Sequence, residues 1–117
     1  MKDLNNKCKI AVVQAAPVMF DKHLCTEKTI KLIQEASEKQ SELIIFPELF
    51  IPGYPYGMTF GFTVGSRNAD GRKDWKMYYD NSILVPGEET KAIGEAAKKA
   101  NAYVSIGVSE RDPVSAK

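Results

Sequence analysis

A chain of 117 residues, 44% hydrophobic and 26% charged, has room for one modest core and not for two ordinary domains. Its formal net charge of +1 leaves no electrostatic footprint for nucleic acid or an anionic membrane, which excludes polyanion binding as the leading function. Cys8 and Cys25 lack the paired spacing of a zinc site or a disulfide framework, and no apolar run approaches the roughly 20 residues of a membrane span, so cytoplasmic residence with reduced thiols is expected.

Residues 1–8 are polar and expected to be disordered, because a terminus with little to bury gains little from ordering. The run Ile10 to Ala16, IAVVQAA, is nearly continuous apolar and closed by Pro17, which predicts a first buried strand. Asp21 can cap a helix that starts at the next residue. Cys25, Thr29, Leu32, Ile33 and Ala36 recur at spacings of three and four, predicting an amphipathic helix over about 22–39 whose other face is Lys and Glu. Leu43 to Phe46, LIIF, predicts a second buried strand, and Pro47, which cannot donate to a ladder, ends it. Strand, helix and strand make a right-handed βαβ unit with the strands as parallel neighbours.

Glu48 stands at the carboxyl end of that strand, the place where open α/β sheets put their sites. A carboxylate there is expected to be partly desolvated, as suits a base. The structural alternatives are a loop cap or an ion pair with an arginine. Pro52-Gly53-Tyr54-Pro55 is turn chemistry, and Tyr54 offers an apolar ring with a hydrogen-bonding tip. Residues 57–73, with Gly57, Gly61, Gly65 and Gly71, hold neither a helical nor a strand period and read as a long loop beside the acid. A short helix is predicted over Asp74–Ile83, with Trp75, Tyr78 and Tyr79 as core or interface residues. Pro86-Gly87 stops the segment before a clear helix that starts at Glu88 and Glu89 and carries Lys98 and Lys99 in its last turn. Ala92, Ile93, Ala96, Ala97 and Ala100 form its apolar stripe. Asn101 is a plausible stop before the strand Tyr103 to Val108. The glycines make no phosphate cradle, since neither the G-x-G-x-x-G order nor a P-loop lysine is present. His23 is the single histidine and reads as a surface residue.

With these motifs in order, the chain resembles the N-terminal part of a nitrilase-family carbon–nitrogen hydrolase. KIAVVQAAP (Lys9–Pro17) resembles the opening strand, FPE (Phe46–Glu48) the first catalytic motif, and GYP with the later FG, VG and GR pairs the nitrilase branch; VPG (Val85–Gly87) and GVSERD (Gly107–Asp112) come in the same order. The resemblance implies an αββα sandwich, of which this chain would form a single partial domain with an incomplete sheet. It implies a Glu-Lys-Cys triad with Glu48 as general base, Tyr54 near the substrate, no cofactor, and hydrolysis of a small-molecule nitrile or amide. The family's lysine and cysteine belong to segments after the strand ending near Val108, which are not within these 117 residues. Cys8 precedes the first strand and Cys25 sits on the inward helix stripe, where a cysteine behaves as a small hydrophobe. The chain is therefore expected to be inactive alone and completed by the missing C-terminal segment or by a complementary chain carrying Lys and Cys, or else to be a non-catalytic remnant or homo-oligomerising module with a nitrilase-like fold.

Overall fold

The computed structural model describes residues 7–58 and 69–115. Its elements are β1 (Ile10–Val12), α1 (Lys22–Glu38), β2 (Leu43–Ile45), α2 (Ala69–Asp80), α3 (Glu88–Ala100) and β3 (Tyr103–Ser105). The Asp21 carboxylate accepts the Leu24 N–H at 2.9 Å and opens α1, satisfying a donor that the first turn would leave orphaned. Cys25, Thr29, Ile33 and Ala36 are buried along that helix and Leu32 packs against the core, as the spacing predicts. Helix α3 begins where the Gly87 N–H donates to Thr90 Oγ1 at 2.8 Å. It ends at Asn101, which takes the left-handed conformation at φ 53°, one that asparagine tolerates better than most residues.

The three strands are parallel in the order β1-β2-β3, with Ala11, Ile44 and Val104 aligned across the sheet. The chain steps the same way across the sheet twice, so two right-handed crossovers place α1 and α3 on one face, where they pack against each other. Ala11, Val13, Ile44, Phe46, Val104 and Ile106 belong to the core on that side. The opposite side is bare: Ile10 is 50% exposed, Val12 76% and Tyr103 48%. The bare face fits the incomplete sheet that the resemblance implies, and it corrects only the reading of the individual strands as wholly buried. The apolar runs of β1 and β2 are those of two-sided burial, but among the described residues only one layer of helices covers the sheet.

That asymmetry makes a stability prediction. Ile44→Ala removes a fully buried side chain and is expected to cost about 2–5 kcal/mol, whereas Val12→Ala on the bare face should stay within about 0.5 kcal/mol. Chemical denaturation of the two variants checks it, and equal losses would mean that both faces are covered.

Helix α2 departs further from the pattern. It starts at Ala69, not Asp74, and stops at Asp80. Asp70 in its first turn favours the helix dipole, and Gly71, which reads as a breaker, is buried inside the helix. Residues 69–73 are thus helical instead of loop, while 59–68 of the expected loop lie outside the described residues. So do residues 1–6 of the polar start.

Candidate active site

Strand β2 gives way at Pro47, and the backbone turns through residues 48–50 with Leu49 at φ 47°. Hydrophobic anchoring holds the turn: Phe50 is 1% exposed and packs on Phe46 at 5.3 Å between ring centroids, and Ile51 is fully buried. Backbone bonds tie it to two other segments. The Phe50 N–H donates to Gly107 O and the Ser109 N–H to Ile51 O, each at 2.8 Å, and the Phe20 N–H donates to Pro52 O at 2.9 Å. The continuation of β3 therefore runs alongside the loop, with Ile51 bridged to Val108.

Two glycines allow this arrangement. A Cβ on Gly107 would stand 2.6 Å from Leu49 N and 2.8 Å from Glu48 Cα, so β3 can pass under Glu48 only without a side chain there. Gly53 sits at φ 110°, a conformation that requires glycine, and a Cβ on it would also push aside the flexible Met19 thioether.

A cleft of about 400 Å³ results. Pro17 and Met19 from the β1–α1 connection form one part of its wall, Phe50, Tyr54 and Tyr56 another, and Glu48 lines it with them. The Tyr54 and Tyr56 rings lie 4.6 Å apart, tilted by 37°. The structure thus brings Glu48 and Tyr54 into one cavity. It also adds Met19 and Tyr56, which sequence reasoning passed over, although Tyr56 stands two residues from Tyr54 in the same aromatic loop.

Glu48 itself is exposed, which corrects the expected desolvation. The cleft that it lines is open to solvent. Among the described residues Glu48 makes neither an ion pair nor a capping hydrogen bond.

Neither cysteine lines the cleft. Cys25 is fully buried and its thiol donates to Val18 O at 3.0 Å; burial pushes that thiol up from its ordinary range, above all other influences on it. It is a structural thiol, as its place on the α1 stripe implies. His23 is exposed in the first turn of α1. Trp75 stacks on Tyr79 with centroids 5.1 Å apart, outside the cleft, whereas Tyr78 reaches the loop that carries Tyr54. Among the described residues, no three His, Cys, Asp or Glu side chains gather to hold a metal ion, and no helix is long and apolar enough to cross a membrane.

Comparison with known proteins adds to this geometry. The family model described as carbon–nitrogen hydrolase matches residues 9–117. An aliphatic nitrilase of Sinorhizobium fredii (strain HH103) is 46% identical over 106 residues, covering 91% of this chain and 34% of the relative. Nitrilase 2 of Arabidopsis thaliana is 43% identical over 104 residues, covering 89% of this chain and 31% of the relative. A bifunctional nitrilase/nitrile hydratase of Nicotiana tabacum is 38% identical over 104 residues, with 89% and 30% covered. The chain spans about a third of the length of these relatives.

Proposed function

Because this chain belongs to the carbon–nitrogen hydrolase family, we propose that it forms the N-terminal portion of a nitrilase-type hydrolase that turns a nitrile into a carboxylic acid and ammonia, with Glu48 as its general base. The observation that carries the reading is the cleft, in which Glu48 and the aromatic loop of Tyr54 are held together by backbone bonds from β3 and the β1–α1 connection. The relatives' names, nitrilase and nitrile hydratase, support the nitrile as substrate class.

In this chemistry a cysteine thiolate adds to the nitrile carbon and the nitrogen takes up a proton, giving a thioimidate. Water adds to the thioimidate, ammonia leaves, and a thioester remains; a second water then releases the acid and regenerates the thiol. Glu48 accepts the thiol or water proton and returns it to the departing nitrogen or sulfur. Tyr54 presents its ring to the apolar part of the substrate and its hydroxyl to the polar end. The nucleophile and the supporting lysine come from outside these 117 residues, on a further segment of the same protein or on a complementary polypeptide. Three facts support that assignment: Cys25 is sealed in the core, neither cysteine lines the cleft, and one sheet face stands bare. A second layer on that face would bury Ile10, Val12 and Tyr103, close the cleft and strip water from the carboxylate.

Mixing the chain with a polypeptide that carries the family's lysine and cysteine segments is expected to release ammonia from an aliphatic nitrile, while the chain alone releases none. Turnover by the chain alone would refute the division of the triad; no turnover by the mixture would refute the hydrolase reading. The bare apolar face also favours a second reading, in which copies of the chain associate through it without catalysis. Sedimentation at several concentrations separates the two, since a folded monomer throughout contradicts self-association.

A further inference from the structure

Three consecutive carbonyls of the site loop are each held by a different part of the chain. Ile51 O accepts from the Ser109 N–H at 2.8 Å and Pro52 O from the Phe20 N–H at 2.9 Å. Gly53 O accepts from the Tyr78 hydroxyl at 2.9 Å. The first two donors are backbone amides. The third is a side chain projected from α2, 25 positions away in sequence, so this tether depends on residue identity alone.

Tyr78 is built to hold that position. Its ring meets Phe20 edge-on with centroids 6.2 Å apart, so the phenol braces both the β1–α1 connection and the loop. The Ser82 hydroxyl lies 2.8 Å from both the backbone carbonyl of Tyr78 and Ser109 Oγ, which ties the end of α2 to the segment that follows β3. The phenol is a donor at neutral pH as any tyrosine is, and burial pushes it further above the ordinary tyrosine range. The carbonyl it grips belongs to the peptide that leads directly into Tyr54. On the other side, the Glu48 end of the loop is held separately, through the Phe50 N–H to Gly107 O bond and the close passage of Gly107.

We propose that Tyr78 is a positioning residue, whose hydroxyl fixes Gly53 and thereby sets Tyr54 against the cleft while leaving Glu48 to its own anchors. The functional half of this inference rests on the nitrilase reading above. It divides the loop in two: β3 sets the base and α2 sets the substrate-facing ring.

Tyr78→Phe keeps the ring on Phe20 and removes only the hydroxyl. In the chain by itself, hydrogen exchange of the Gly53 and Tyr54 amides is expected to speed up about three- to tenfold, while the Phe50 and α1 amides stay at wild-type rates. In the complemented assembly, KM for an aliphatic nitrile is expected to rise about threefold or more with kcat within about twofold of wild type, the pattern of lost substrate binding. Unchanged exchange at Gly53 and Tyr54 would overturn the tether. A fall in kcat with KM unchanged would overturn the division between base and ring. If the wild-type assembly turns over no nitrile, the hydrolase reading fails, and the exchange rates still decide whether Tyr78 holds the loop.

Discussion

Replacing Gly107 with alanine is expected to destabilise the chain by about 1–3 kcal/mol, the usual cost of overpacking, and to loosen Glu48 from the cleft. The added methyl would stand 2.6 Å from Leu49 N, 2.8 Å from Glu48 Cα and 3.1 Å from Glu48 C. All three are backbone atoms, so no rotamer change relieves the contact. The strand end and the loop must separate, which lengthens the Phe50 N–H to Gly107 O bond and pulls on the turn that carries the carboxylate. A loss of that size is a large share of the roughly 5–15 kcal/mol that holds an ordinary domain together. The same substitution at Gly94 provides the control. Gly94 is exposed in the interior of α3 and a Cβ there meets nothing within 4 Å, so Gly94→Ala is expected to stabilise by about 0.5–1 kcal/mol through helix propensity. Denaturant midpoints of the two variants should therefore move in opposite directions. Movement in the same direction would mean that β3 does not press on Glu48.

The βαβ unit was legible because each of its signals is local. Asp21 caps within three residues, the stripe of Cys25, Thr29, Ile33 and Ala36 keeps a helical period, and Pro47 marks the end of β2. Helix α3 was legible for the same reason, with Glu88 and Glu89 opening it and Lys98 and Lys99 closing it. The features that escaped are set between distant segments. An uncovered face was expected of an incomplete sheet, but which residues lie on it, Val12 and Tyr103 among them, was not, because an apolar run carries no mark of which face is covered. The start of α2 at Ala69 was hidden by Gly71, whose low helix propensity is overridden by its buried place. Gly107 looked like one residue of a strand, although glycine within a strand pattern does signal close approach of another backbone. Tyr78 read as a core aromatic, since nothing near it in sequence announces the Gly53 carbonyl it grips. The place of Glu48 at the end of β2 is legible in FPE, while its exposure stems from the open cleft, which no local pattern encodes.

The larger effect is expected at Glu48 itself. General acid–base groups contribute typically about 10²–10⁴-fold to rate, and Glu48→Gln removes the proton acceptor while keeping the side chain's length. Because the carboxylate is exposed and makes no ion pair among the described residues, the substitution should leave folding and assembly unchanged. A shorter acid is also expected to do poorly. Glu48→Asp keeps the charge but withdraws the carboxylate by one carbon–carbon bond, about 1.5 Å, and a misplacement of about 1 Å can cost on the order of 10²-fold. Loss in both variants would therefore indicate that position matters as well as charge.

The most direct measurement is ammonia release from an aliphatic nitrile by the chain combined with the lysine- and cysteine-bearing polypeptide, comparing Glu48 with Glu48→Gln at equal assembly by sedimentation. The expected result is turnover with Glu48 and a fall in kcat of about 10²–10⁴-fold with glutamine. Turnover by the Glu48→Gln assembly at the unsubstituted rate would contradict the assignment of Glu48 as the base.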